Sequence, residues 1–328
     1  MTTRATPMDA GVRQNATLED DAAGVPFDGR PTPRSWIGWL QVPEQWMRHR
    51  RSIASSRRLL ARNRREGREP VFVFCHPRVG SRSLYMTLAN TPGFAPFHLL
   101  TITRARSRFR HGQPVVSEDG IACNSAASAF VAREYIASAS HTRFVVSLRD
   151  PISVNVSFFV FWGRKYWFRD QWARTSDLDD AALARLFLER FPHKSALRWL
   201  DREFTEATGL DTRAHEFDAE RGAGVLRSAK TSALILRADI PDASKREELS
   251  AFLGSPIAKV IRGNEIGSRY PEQAGLTERL RRVVPGIPGY VDAMLGCPFA
   301  RRHWTPTQLE ALRASWLERA RGESETRD

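Results

Sequence analysis

The chain has 328 residues, of which 41% are hydrophobic, and carries 50 Lys and Arg against 37 Asp and Glu, for a formal net charge of +13. This composition excludes a disordered chain and is large enough for a sizeable core, and no apolar run approaches the ~20 residues of a membrane-spanning helix. The three cysteines, Cys75, Cys123 and Cys297, form no CxxC pair; this argues against a disulfide framework and against a zinc site.

Residues 1–33 mix Thr, Asp, Gly and Pro without sustained periodicity, the pattern of a disordered tail. They contain no apolar signal-peptide core, so a cytoplasmic location is expected. Residues 34–68 combine Trp36, Trp39, Leu40, Trp46, Met47, Ile53, Leu59 and Leu60 with a run holding nine arginines and one acid between Arg48 and Arg68. Two readings stand: a basic amphipathic helix lying on an anionic membrane surface at the inner membrane face, or a helix packed on the main domain with its arginines in water. No DNA-reading motif of known geometry is present, so nucleic acid is not an expected partner.

From residue 69 onward the pattern is α/β. VFVFC (71–75), FAPFHLLTI (94–102), RFVVSL (143–148) and TSALILRA (231–238) read as buried strands. Helices are expected at 81–90, 125–139, after Asp150-Pro151, at 179–191 and at 195–209, the last closing on Gly209. From Gly275 the chain reads as helices throughout. Strands alternating with helices predict a parallel sheet covered on both faces, with a helical C-terminal extension. The domain organisation expected is a tail (1–33), a basic segment (34–68) and one α/β domain (69–328).

The first strand ends in His76-Pro77-Arg78-Val79-Gly80-Ser81-Arg82-Ser83-Leu84. A glycine turn feeding a helix N-terminus presents unsatisfied amides and a positive dipole end. With two hydroxyls and two arginines added, this describes a phosphate or sulfate cradle. It is neither a Walker A loop, since it lacks GK[ST], nor a GxGxxG turn; a capped helix start carrying no ligand reads the same residues. The third strand ends in Arg149, with Ser157 eight residues on. Ligands of open parallel sheets bind outside the carboxyl ends of strands, so Arg149 and Ser157 form a second candidate anion site. The alternative is an arginine paired with a carboxylate at a helix cap.

Together these two motifs resemble the nucleotide signatures of sulfotransferases that use 3′-phosphoadenosine-5′-phosphosulfate (PAPS). WLDREFTEATGLDTRAHEFDAERG (199–222), TSALILRADI (231–240), RGNEIGSRY (262–270) and PGYVDAMLGCPFARRHWTPTQLEALRASW (288–316) are similar, in this order, to bacterial sulfotransferase-like capsular polysaccharide synthesis proteins. The resemblance covers about Pro70 to Trp316. It implies a P-loop-like sulfotransferase fold and transfer of a sulfuryl group from PAPS to a hydroxyl of a carbohydrate or glycoconjugate, with no metal. It implies that Arg78, Val79, Gly80, Ser81, Arg82, Ser83 and Leu84 surround the 5′ end of PAPS, and that Arg149 and Ser157 hold the 3′-phosphate. The family usually has a lysine where this chain has Arg78, and arginine is a poor proton donor. His98 resembles the catalytic histidine of glycan 2-O-sulfotransferases and is the candidate base, although a histidine bordering the core reads equally well; His76 would orient the loop, and Glu134 is a substitute base. RARSRFRHG (104–112) and GRKYWFRDQW (163–172) are candidate acceptor contacts, and Gly263 and Arg269 candidate nucleotide contacts. Two other classes remain open: a basic peripheral scaffold on a decayed sulfotransferase fold, and a non-Walker nucleotide-binding enzyme.

Overall fold

The computed structural model describes residues 54, 57–58, 60–100, 102, 135–162, 175, 177–214, 216–262 and 271–321. Most of the basic segment 34–68, the candidate acceptor contacts at 104–112 and 163–172, and Glu134, Gly263 and Arg269 lie outside these residues, as does helix 125–139 up to Tyr135.

The protein is α/β. Five strands, β1 (Glu69–Phe74), β2 (Phe94–Leu99), β3 (Thr142–Leu148), β4 (Ala223–Arg227) and β5 (Thr231–Arg237), form one sheet in the order β2-β1-β3-β5-β4. All neighbours are parallel except β4, which pairs antiparallel with β5. The four strands read from the sequence are present. β4 was not foreseen: AGVLR is short and holds a glycine, and its pairing with β5 completes it as a strand.

Alternation along the strands divides the interior into two layers. Val71, Val73, Val145, Leu234 and Leu236 face an aliphatic layer shared with α1 (Ser81–Ala89) and, further along the chain, the helix Asp242–Leu253. Phe72, Phe74, Phe144 and Val146 face the opposite, aromatic layer. The Phe74 ring lies 4.9 Å from Trp199 and 5.9 Å from Phe204, centroid to centroid. The period of two thus sends Val71 and Val73 of β1 to one face and Phe72 and Phe74 to the other.

The aromatic layer is covered by α2 (Pro151–Trp162), α3 (Asp180–Arg190) and the helical stretch α4 (195–208). Within α4, the turns Ser195–Trp199 and Thr205–Thr208 flank a π-helical turn, Leu200–Phe204, and left-handed Gly209 ends the stretch, as expected. The helix Asp242–Leu253, here α5, has a short apolar stripe of Leu249, Phe252 and Leu253 that sequence reading passed over. After it come α6 (Pro271–Val283), α7 (Tyr290–Leu295), α8 (Pro298–His303) and α9 (Pro306–Arg321). These C-terminal helices are no appended extension. Tyr290, Trp304 and Trp316 are buried in the same cluster as the sheet's phenylalanines, so these helices complete the core of the domain. Among the described residues no helix is long and apolar enough to cross a membrane.

Several buried polar groups inside this layer bond to one another, although Asn155 Oδ1 has no hydrogen-bond partner among the described residues. His193 donates from Nε2 to the Phe187 carbonyl at 3.1 Å, and its Nδ1 lies 2.9 Å from the Tyr290 hydroxyl, which receives Asn155 Nδ2 at 3.0 Å. Burial pushes the pKa of His193 down to about 3 and that of His303 to about 4. An unfolded histidine takes a proton near pH 6.5, whereas these two stay neutral until well below that. Their contribution is therefore present above pH 6.5 and is lost as the pH falls from about 6.5 toward 4. The urea midpoint is expected to drop between pH 7 and pH 5, before most carboxylates titrate; a flat profile over that window would contradict neutral, buried imidazoles.

Candidate functional site

β1 leads to β2 on one side, while β3 lies on the other, so the carboxyl ends of β1 and β3 flank the switch point of the sheet. In open α/β sheets that crevice is the usual ligand site. The loop 75–80 crosses it and is tied down from below. Cys75 N–H donates to the Leu99 carbonyl at 3.2 Å, and Ser147 Oγ on β3 donates to the Val79 carbonyl at 2.6 Å. His76, buried behind the loop, sets Nδ1 2.8 Å from the Pro77 carbonyl. That contact puts the proton on Nδ1 and leaves Nε2 to accept from the Ser195 hydroxyl at 3.3 Å. Burial holds the Cys75 thiol protonated, with its pKa pushed up to about 12, so it is a packing group and not a nucleophile.

The loop backbone is unusual. Arg78 has φ 73° and Gly80 φ 86°, both in the left-handed region, and Arg78 is the one non-glycine residue there among those described. A Cβ at Gly80 would meet only Ala238 Cβ, at an ordinary 3.8 Å. Glycine is required at this position for its φ, not for space. Alternating positive and negative φ over Arg78, Val79 and Gly80 makes a concave run of amides of the kind that binds anions. α1 then begins without a side-chain cap and without an acid in its first turn. The positive end of α1 thus carries no side-chain acceptor and no acid of its own.

Two guanidiniums converge on this cradle. Arg149, at the end of β3, donates from Nη1 to the Arg78 carbonyl at 3.3 Å. Arg78 donates from Nε to Ser157 Oγ at 2.9 Å and lies 4.8 Å above the Phe161 ring. Both are partly buried. Burial and then the charge of Arg149 pull the pKa of Arg78 down to about 10; burial is also the main cause that lowers that of Arg149, with Asp150 and Asp239 opposing it from a distance. Among the described residues neither guanidinium has an ion pair with a carboxylate. Asp150 instead caps α2, accepting from the Ser153 amide at 2.9 Å, with Pro151 in the first helical position where its missing N–H costs nothing.

His98 projects from the end of β2, its Nε2 2.8 Å from Ser81 Oγ. The histidine and the cradle helix therefore meet, which no spacing in the sequence could specify. Burial, and then the charge of Arg82, push its pKa down to about 4, so the imidazole is neutral at physiological pH and a weak base. Ser83 donates to the Ile261 carbonyl, while Thr87, one turn on, accepts from the Ile261 amide at 2.8 Å. Arg82 is exposed, and Val79 and Leu84 are buried beneath the loop. Ser157 is buried, and its hydroxyl lies on Arg78, not on Arg149.

A cavity of about 570 Å³ opens beside the loop, lined by Gly80, Ser83, Leu84, Ser147 and Arg149 and, on the other side, by Arg237 to Asp242, Lys245 and Arg262. A smaller one of about 320 Å³ shares Gly80, Arg149, Ala238 and Asp239 and reaches Asp150, Ser153 and Leu312. The residues after β5 are the part of the site that sequence reading missed. The signal was available: the rule that ligands bind beyond strand ends applies to LILRADIPD as it does to the ends of β1 and β3. Arg237 there is buried and bonds to Asp239, to the Ala219 and His303 carbonyls and to Gln308, so it ties the cavity wall to the C-terminal helices.

Comparisons of the chain with protein-family models, with curated proteins and with solved structures each found no match. The site must therefore be read from its own chemistry. Two cations and a helix end face one crevice, which makes it a candidate anion site. Replacing Arg149 with Met, of similar length and without charge, removes the like-charge contact. The expected result is an unchanged or raised urea midpoint without ligand, together with loss of the thermal stabilisation that millimolar pyrophosphate gives the wild type.

Proposed function

We propose that the protein is a PAPS-dependent sulfotransferase with a P-loop-like fold, acting on a hydroxyl of a carbohydrate or glycoconjugate. The observation that carries this reading is the pair Arg78 and Arg149, two partly buried guanidiniums without an ion-paired carboxylate among the described residues, beside a helix N-terminus with no side-chain cap. Such an arrangement calls for a ligand with more than one anionic group. The absence of a P-loop lysine speaks against Mg-ATP. A cavity of about 570 Å³ next to the cradle offers room for a nucleoside.

In this proposal the 5′-phosphate lies on the amides at the start of α1, and Arg149 takes the 3′-phosphate. The acceptor hydroxyl oxygen attacks sulfur while the bond from sulfur to the bridging phosphate oxygen breaks. The negative charge that develops on that oxygen is met by Arg78 and by the helix end. Positioning and charge stabilisation carry most of such a transfer. The acceptor proton needs a base, and His98 is the residue proposed for it. Negative charge bound in the cradle raises the pKa of a neighbouring imidazole, moving His98 from about 4 toward a useful range. A cytoplasmic location is part of the proposal: Cys75 and Cys297 are free thiols, which suits a reducing compartment.

A binding-only protein on a decayed sulfotransferase fold is the second reading, favoured by the low pKa of His98 and by its bond to Ser81. Calorimetric titration with adenosine 3′,5′-bisphosphate (PAP), against Mg-ATP as competitor, tests the donor. Micromolar PAP binding that is lost in Arg149→Ala is expected, and a folded protein that ignores PAP would sink the proposal. Slow release of PAP from PAPS in water that disappears in His98→Ala would separate an enzyme from a binding-only relic.

A further inference from the structure

The bond between Arg78 and Ser157 suggests a role for Ser157 other than that of a phosphate ligand. Nε of Arg78 is held by Ser157 Oγ at 2.9 Å, and the guanidinium Cζ lies over the Phe161 ring, 4.8 Å from its centroid. Ser157 and Phe161 are four residues apart on α2, so they present one hydroxyl and one ring on the same face, a turn apart. Ser157 is buried. The carbonyl of the same Arg78 is held by Arg149 at 3.3 Å. Both ends of a residue with a left-handed φ of 73° are therefore fixed from outside the loop, which is how a strained backbone conformation persists. Among the described residues the two terminal nitrogens of Arg78 have no hydrogen-bond partner.

We infer that Ser157 and Phe161 are positioning residues that clasp Arg78 by its Nε edge and ring face, turning its Nη1 and Nη2 donors as a fork toward an anion in the cradle. This rests on the reading of the crevice as an anion site and deepens it: the clasp requires arginine. Lysine has no Nε–H to hold and no plane to lie on the ring, so here the chain needs Arg78 for a geometric reason.

The test is a double-mutant cycle read by calorimetry with two probes, PAP and inorganic pyrophosphate, on variants whose fold is checked by circular dichroism. Ser157→Ala is expected to weaken anion binding about tenfold and Phe161→Leu about fivefold in the wild-type background. In an Arg78→Lys background, where the charge remains but the clasp has nothing to grip, both losses should vanish. Equal losses in the two backgrounds would overturn the inference and make Ser157 a direct ligand or a merely structural residue. No loss in either background would overturn it as well. If Ser157→Ala fails to fold, Phe161→Leu carries the cycle alone. A wild type that takes pyrophosphate but not PAP ends the PAPS assignment, while the cycle on pyrophosphate still decides the clasp; binding of neither probe overturns both.

Discussion

Two positive charges drawn partly out of water beside each other, with no ion-paired carboxylate among the described residues, are the constraint around which the carboxyl edge of the sheet is organised. Arg78 and Arg149 approach closely enough for one to hydrogen-bond the backbone of the other. Burial opposes both charges, and Arg149 further opposes that of Arg78. A folded chain keeps such a contact only where the surroundings force it, and it gains from any anion that arrives. Ser147 from β3, His76 from behind the loop, and Ser157 and Phe161 from α2 supply that force.

The division of the core into two kinds of packing makes this rigidity achievable. The aliphatic layer of Val71, Val73, Leu84, Leu88 and Leu234 seats α1 directly on β1, which fixes where the helix N-terminus points. The aromatic layer buries α2 between the sheet and the C-terminal helices. Because Phe158 and Phe159 are buried in that layer, Ser157 has a fixed position from which to hold Arg78. The C-terminal helices reach the site through the core, and Arg237 reaches them from the end of β5. Site and core are thus one mechanical unit, with the energetically costly loop carried on well-packed supports.

Much of this was legible along the chain. The four parallel strands stood out as apolar, β-branched runs ending in turn residues. Gly80 and Arg149 marked the turns that follow two of these strands. β4 escaped because five residues with a glycine have no strand character until β5 pairs with them. α5 escaped because its apolar stripe is only Leu249, Phe252 and Leu253. The segment 195–208 read as one regular helix because periodicity cannot register a single wide turn such as that at Leu200–Phe204. The C-terminal helices read as an extension because their apolar residues, Tyr290, Trp304 and Trp316 among them, do not announce which surface they cover.

The sequence by itself determined the layered α/β class, the strand ends that carry the cations and the helix start that carries the amides. These are local matters: side-chain period, the φ preference of glycine and turn chemistry act over a few residues. Only the tertiary structure decided which side chains face each other. It brought His98 to Ser81 across 17 positions and set Ser157 on Arg78 across 79. It also turned Ser83 to Ile261 and added the residues after β5 to the cavity wall. Those pairings follow from strand order and from how α2 packs on the sheet. Strand order is settled by burial summed over the whole core, and no short stretch of residues holds that sum.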